Sequence, residues 1–353
     1  MKLLDQTLKE IVPADAGKRR DARKRLENLT MPYWALGRLM DLAEDLAGMT
    51  RSLRPPVKRK IIVTFAGDHG VAVEGVSAYP QEVTFQMVRN IAAGGAGVNA
   101  LARQAGADVL IVDMGVAHEP VDLAASGKIL SRRIAAGTNN MAVGQAMSRE
   151  QATQAVEAGI DIAVGLDSRV DVFGTGEMGI GNTTPSSAIV SVFSSCPIAD
   201  VTGQGTGIHT DQLMHKIQVI EKSISVNRPD KNDGIDVLAK VGGFEIGGIA
   251  GLILGAASLG KPVVIDGFIS TAGALIAHAL SPVCAQYMIA AHRSVEKGHR
   301  VALELLEKKP LIDLDLRLGE GTGAALALNF VEAAARILTE VATFEEASIS
   351  KSL

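Results

Sequence analysis

Ile61-Ile62-Val63-Thr64-Phe65-Ala66 is an unbroken, mostly apolar run that closes on Gly67-Asp68-His69-Gly70. Such a run without alternation suits a strand buried on both faces, and the Gly-Asp pair suits the turn that ends it. Val109 to Met114, Val170 to Phe173 and Pro262 to Asp266 read the same way, and Tyr287 to Ala290 is a weaker fifth run. Between them, apolar residues at helical spacing predict helices near 81–93, 149–163, 183–193, 210–225, 244–258 and 268–279. Strands alternating with helices predict an α/β fold, a Rossmann-like parallel sheet flanked by helices. Ligands of such sheets bind outside the carboxyl ends of the strands. The loops directly after the runs are therefore the candidate site, and the clusters of Gly, Asp and Glu fall there.

The two ends of the chain read differently. The first 55 residues carry no strand signal. Asp15 to Leu29 is highly charged, and Trp34 to Met49 sets Leu36, Leu39, Met40, Ala43 and Leu46 at helical spacing before Arg54-Pro55-Pro56 ends the region. Gly323 to about Val341 is Ala-rich, with Ala324, Leu328, Val331, Ala335 and Leu338 as its apolar stripe. Residues 1–55 plus 323–353 are thus expected to form a small helical domain beside a large α/β catalytic domain, 56–322.

Composition narrows the function. Of 353 residues, 47% are hydrophobic and 21% charged, enough for a sizeable core and against disorder. Aromatic residues are only 3%, so aliphatic side chains must fill that core. The net charge is -4 with both signs interspersed, which leaves no electrostatic footprint for nucleic acid. Gly247 to Gly260 is the longest apolar stretch; it is too short to span a bilayer and reads as a buried helix. Cys196 and Cys284 form no metal or redox motif, and Met1 to Ile11 has no signal-type apolar core, so a cytoplasmic protein is expected.

Gly174, Gly176 and Gly179 satisfy G-x-G-x-x-G after a strand and before a helix. Backbone amides there can hold a phosphate. The Rossmann form also wants an acid about 20 residues on, closing the next strand. No such strand is clear before Asp200, so a mononucleotide fits better than a dinucleotide. A tight strand-to-helix connection with no ligand suits the same glycines. Thr202-Gly203-Gln204-Gly205-Thr206-Gly207 is a second glycine loop, and the helix after it carries Lys216 beside Leu213, Ile217 and Ile220. A lysine bordering an apolar stripe must snorkel to water or meet an anion. Glu320 stands among glycines just before the C-terminal helix. That helix's dipole favours its charged form by ~0.3–1 kcal/mol, whereas burial in a dry pocket raises a carboxyl pKa by up to ~3–5 units and leaves a general base. Asp68-His69 has no second ligand at metal spacing, so a loop or substrate-shaping role is expected. Tyr79 and the helix bearing Phe85, Gln86, Met87 and Val88 can wall a flat ligand, and Asp266 and Ser294 end or follow strands.

Five of these stretches occur in order: Phe65-Ala66-Gly67-Asp68-His69-Gly70, Gly75-Val76-Ser77, Gly176 to Thr184, Val241-Gly242-Gly243-Phe244-Glu245-Ile246 and Leu316 to Gly323. From about Ile61 to Phe344 the chain resembles the nicotinate-nucleotide–dimethylbenzimidazole phosphoribosyltransferases. The resemblance implies transfer of phosphoribose from nicotinate mononucleotide to 5,6-dimethylbenzimidazole, with no cofactor or metal, by a cytoplasmic homodimer. It implies Glu320 as general base and a nucleotide site on Glu177, Gly179, Ile180, Gly181, Asn182, Gly205, Lys216, Asp266 and Ser294. The base slot would lie around Tyr79, Gln86 and Met87. A nucleotide-dependent oxidoreductase built on Gly174 to Gly179, or a non-catalytic sensor of the same ligands, are the alternatives that the residues alone leave open.

Overall fold

A computed structural model describes residues 3–205 and 207–350. Thr206 of the second glycine loop, and the extreme ends of the expected helical domain, lie outside the described residues. Helices α1 (Leu3–Glu10), α2 (Ala16–Leu26) and α3 (Arg38–Thr50) precede strand β1 (Lys60–Gly67). Helices α4 (Glu82–Ala92) and α5 (Gly97–Ala105) lead to β2 (Ala107–Gly115). A short α6 (Val121–Ala125) and the two-residue β3 (Leu130–Ser131) come before α7 (Arg149–Gly165) and β4 (Val172–Met178). Then come α8 (Thr183–Ser194), α9 (Ile198–Val201), α10 (Thr210–Asn227), α11 (Gly234–Val241) and α12 (Phe244–Ser258). Strand β5 (Val263–Ile265), α13 (Phe268–Leu280) and β6 (Met288–Ala290) complete the sheet, and α14 (Lys297–Leu305) and α15 (Thr322–Glu340) follow.

The strands form one parallel sheet in the order β3-β2-β1-β4-β5-β6. That is the doubly wound order, and its direction of winding reverses between β1 and β4. Strand β1 is buried along its whole length, as its apolar run requires. The sequence expectation of a Rossmann-like sheet is met, with β3 the one strand too short to leave a periodic signal.

Strand β4 differs from its expected extent. It does not stop at Phe173 but runs through Gly174, Thr175, Gly176 and Glu177 to Met178. The first two glycines of the G-x-G-x-x-G pattern are therefore strand residues, not a phosphate loop. They are glycines because another part of the chain lies on them. A Cβ at Gly176 would overlap the carbonyl oxygen of Glu320, and one at Gly174 would come within 3.3 Å of the Ala324 Cβ.

The two ends of the chain lie against each other. Arg19 pairs with Glu44 and Asp45, and Arg23 with Glu44, so the charges of α2 lock it to α3. Leu29 bridges Thr343, and Arg25 pairs with Glu346. Helix α3 begins only at Arg38, later than the spacing predicts, because Trp34 and Gly37 have positive φ (53° and 51°) that no right-handed helix accommodates.

Helix α12 is buried on every side from Phe244 to Ala257. It packs on α7 with main chain against main chain. A Cβ at Gly159 would overlap the Gly248 carbonyl, and one at Gly251 the Val156 carbonyl. Gly159→Ala and Gly251→Ala are each expected to lower unfolding free energy by about 1–3 kcal/mol through overpacking; urea denaturation of the two variants measures it, with Gly144→Ala, where a Cβ meets nothing, as the neutral control.

Candidate active site

The reversal between β1 and β4 puts a crevice at their carboxyl ends, and the segment Leu318 to Gly321 lies across it. Thr64 and Gly176 are register partners on the two strands. The Thr64 hydroxyl donates to the Glu320 carbonyl at 2.9 Å, while Gly176 leaves room for it. Gly319, Glu320 and Gly321 all have positive φ (86°, 62° and 104°). For a glutamate this costs on the order of 1–2 kcal/mol, so the surroundings must hold it there. Asp266 at the end of β5 does so. Its carboxylate accepts the amides of Gly321 at 3.1 Å and Ala324 at 2.9 Å, fixing both the turn and the start of α15.

The Glu320 side chain then reaches a different helix from the one its sequence position suggests. Its Oε2 accepts the Val98 amide at 3.1 Å, and the Gly97 amide also faces it. Glu320 thus caps α5, whose own N-cap residue, Ala96, offers no side-chain acceptor. Helix α5 is absent from the sequence expectations, although Gly97 marks it: a Cβ there would stand 2.9 Å from Leu318 and 3.4 Å from Glu320 Oε2. Burial pushes the Glu320 pKa up, the two amides pull it down, and burial outweighs them.

Around Glu320 opens a cavity of about 370 Å³. Tyr79, Met87, Glu177, Gly179, Ile180, Asn182, Gly205, Ser294 and Glu320 all line it. Four other candidates do not. Gln86 is exposed on the far side of α4; Val83, one helical turn before Met87 and so on the same face, takes its place. Asp266 has both carboxylate oxygens engaged in main-chain amides, as above. Gly181 lies beneath the lining, with φ 88° and against Ala72 and Val76. Lys216 is 1% exposed and neither snorkels nor reaches the cavity wall: its Nζ donates to Thr183 Oγ1 at 2.7 Å. Burial pulls its pKa down to about 8 against the attraction of Glu296.

The loop after β4 is short. The Ile180 amide is taken by Thr84 Oγ1 at 3.0 Å, while the amides of Gly181 and Thr183, at the start of α8, have no partner among the described residues. Glu177 accepts the Asn182 side-chain amide and lies against Gly319, where a Cβ would overlap its Oε1. Burial, aided by the charges of Asp266, Glu245 and Glu320 and opposed by Asn182, raises its pKa to about 8. Behind this loop, His69 Nε2 meets Glu245 Oε1 at 2.7 Å, fully buried, and the ring backs Gly179. Burial disfavours the imidazolium, but the adjoining carboxylate outweighs it and holds the His69 pKa above its ordinary value. Asp68 accepts the Ala117 amide. The pair Asp68-His69 therefore shapes the loop, as its sequence setting suggested. His292, in the loop after the fifth run, and Arg317 and Leu318, in the last motif, also line the cavity, as do Phe268 and Glu296, which nothing in their sequence setting singles out. A wider groove of about 750 Å³ lies at the opposite, amino ends of β1 and β4, where Arg59–Asp171 and Glu332–Arg336 pair with each other.

A family model described as "Phosphoribosyltransferase" matches residues 11–349. The nicotinate-nucleotide–dimethylbenzimidazole phosphoribosyltransferases of Syntrophotalea carbinolica and Desulfotalea psychrophila are 64% and 56% identical to the chain, each over 351 residues that cover 99% of both sequences. The crystal structure of CobT from Thermus thermophilus matches with a TM-score of 0.90 and 42% identity, over 95% of this chain and 100% of that one.

Between about pH 4.5 and 8 the folded chain keeps a proton on Glu177 that the unfolded chain has released. Stability is then expected to fall as pH rises through that window, by on the order of 5 kcal/mol from this group. Thermal melts from pH 5 to 8 test this, and Glu177→Gln is expected to flatten the decline.

Proposed function

The chain belongs to the nicotinate-nucleotide–dimethylbenzimidazole phosphoribosyltransferase family, and on that premise we propose how its cavity divides the work. The activity is transfer of the 5-phosphoribosyl group of nicotinate mononucleotide to 5,6-dimethylbenzimidazole, giving α-ribazole 5′-phosphate and nicotinate, a step of cobalamin biosynthesis. Glu320 is the general base. The observation that carries this assignment is a buried carboxylate, its pKa raised, at the edge of a cavity whose other wall is Tyr79, Val83 and Met87. That wall suits a flat, apolar azole.

The chemistry explains the residue types. The bond from the ribose anomeric carbon to the pyridinium nitrogen breaks, and its electron pair leaves with nicotinate, whose ring nitrogen becomes neutral. No proton is needed on the leaving group. One azole nitrogen attacks the anomeric carbon from the opposite face and inverts it. The remaining azole N–H becomes acidic as that bond forms, and Glu320 takes the proton. The phosphate is held at the start of α8 by the amide of Thr183, by Gly205 and Ser294, and by the charge of Lys216 acting through Thr183. Binding energy from this remote group positions the ribose. Asp266 acts through the Gly321 turn, as a positioning residue.

We read residues 1–55 with 323–353 as a small helical domain and 56–322 as the large one; the packing of α15 on α2 and α3 supports this. We place the protein in the cytoplasm, as the free cysteines Cys196 and Cys284 favour. A homodimer is the assembly we propose. Exposed Val73, Val143 and Met214 support it, since they surround Glu74, which bonds Asn140 and His215. Light scattering on a sizing column is expected to give twice the chain mass, and Val73→Glu with Met214→Glu to shift it toward one.

Glu320→Gln keeps an acceptor for the Val98 amide and removes the base. It is expected to lower turnover by ~10²–10⁴-fold with nucleotide affinity nearly intact. Near-normal release of nicotinate, followed by chromatography, overturns the assignment. In the wild type, kcat/KM is expected to fall toward acid pH with an apparent pKa above the ordinary glutamate value of 4.5, because the base must be ionised. Lys216→Ala is expected to raise the KM for nicotinate mononucleotide more than that for dimethylbenzimidazole.

A further inference from the structure

Glu296 lines the cavity, although its sequence setting gave no reason to name it. It follows Ser294, and its own amide is bound by the Ser294 hydroxyl at 3.3 Å. Its carboxylate lies flat on the second glycine loop. The place of a Cβ on Gly203 is filled by Glu296 Oε2, and the Gly205 amide faces the carboxylate. Lys216 attracts it from behind that loop; a Cβ on Gly205 would stand 3.3 Å from Lys216 Nζ and 2.9 Å from Thr183 Oγ1. Arg317, exposed at the cavity rim, attracts it from the other side. Yet Glu296 Oε2 is closed off from solvent and has no hydrogen-bond partner among the described residues.

A carboxylate with a buried, unpartnered oxygen is costly to keep. Here it sits where two glycines, an amide, a hydroxyl and a lysine make room for an anion. We propose that Glu296 is an internal stand-in for the substrate phosphate: it occupies the anion seat in the empty chain and sets the nucleotide affinity by competing with the phosphate for Gly205 and the field of Lys216. This rests on the phosphate seat assigned above. When phosphate enters, two anions cannot share the seat, and the Glu296 carboxylate turns out toward Arg317. The orphaned Oε2 and the absent side chain at Gly203 have the same cause, a seat shaped for a larger anion than a carboxylate.

Calorimetry with nicotinate mononucleotide, and inhibition by inorganic phosphate, test this on Glu296→Gln, Glu296→Ala and Lys216→Ala. Removing the competing charge is expected to tighten nucleotide binding on the order of tenfold in both Glu296 variants. Inorganic phosphate should then inhibit at correspondingly lower concentration, with dimethylbenzimidazole affinity unchanged. Unchanged or weaker nucleotide binding in both variants, with thermal melts showing them folded, overturns the proposal. Lys216→Ala separates the two readings. Weakened nucleotide binding there, with no gain in the Glu296 variants, leaves the seat standing and removes only the competitor. Unaltered binding in all three variants removes the seat itself.

Discussion

The site depends on one main-chain contact, the carbonyl of Glu320 resting on β4 where Gly176 has no side chain. Because that approach is open, the Leu318–Gly321 segment can cross the sheet at the β1/β4 reversal instead of passing above it. Thr64 then ties the segment to β1, and Asp266 ties it to β5 and to α15. Three strands thus fix one turn, and the turn holds a glutamate at a positive φ it would not adopt alone. The same contact explains why Gly319 must be glycine, since Glu177 fills the space a side chain would need. The sequence segments around residues 65–70, 176–184, 241–246 and 316–323 are far apart in the chain and touch here. His69 and Glu245 interlock behind Gly179, which leaves the loop after β4 no freedom on its inner side.

The price of this arrangement is a crowd of buried acids. Glu177 feels Asp266, Glu245 and Glu320 together, and all four are buried. Each is contained differently: Asp266 by main-chain amides, Glu245 by His69, Glu320 by the start of α5, and Glu177 by Asn182 and a raised pKa. A protein holds such a cluster at a cost in stability. In the proposed reaction the substrate carries a pyridinium and the transition state places positive charge on the anomeric carbon. A cluster of carboxyls fixed before the substrate arrives stabilises that charge without reorganising.

Much of this is legible from sequence, and the failures have a pattern. The unbroken run Ile61 to Ala66 and the helix Phe244–Ser258 read correctly because burial on both faces leaves marks in the chain itself, and the glycines around Glu320 mark the turn that the structure shows there. Gly174 and Gly176 mimic a phosphate loop because a glycine needed for a distant carbonyl looks the same in sequence as one needed for a ligand. Gln86 is expected in the wall and Val83 is found there, since periodicity does not carry the angle at which α4 meets the sheet. Lys216 sits correctly on an apolar stripe, but only the fold shows that Thr183 receives it. Glu320 capping α5 joins residues 222 apart, a pairing that no local pattern carries.

Along the cavity the charges are sorted. On the proposed division of the cavity, Lys216, the Gly205 amide and the start of α8 give one end a positive field, and Glu320, ionised as the base must be, gives the other a negative one. Nicotinate mononucleotide is itself sorted, with an anionic phosphate at one end of the ribose and a cationic ring nitrogen at the other. In the proposed site such a molecule enters favourably in one orientation, the one that brings the anomeric carbon toward Glu320 and beside the apolar wall. A free nicotinate has lost the pyridinium charge and the phosphate together, so it is held by neither end and departs. In the proposed reaction the field that orders the substrate is thereby the field that releases one product, and the azole nucleotide, still carrying the phosphate, is the one that the positive end retains.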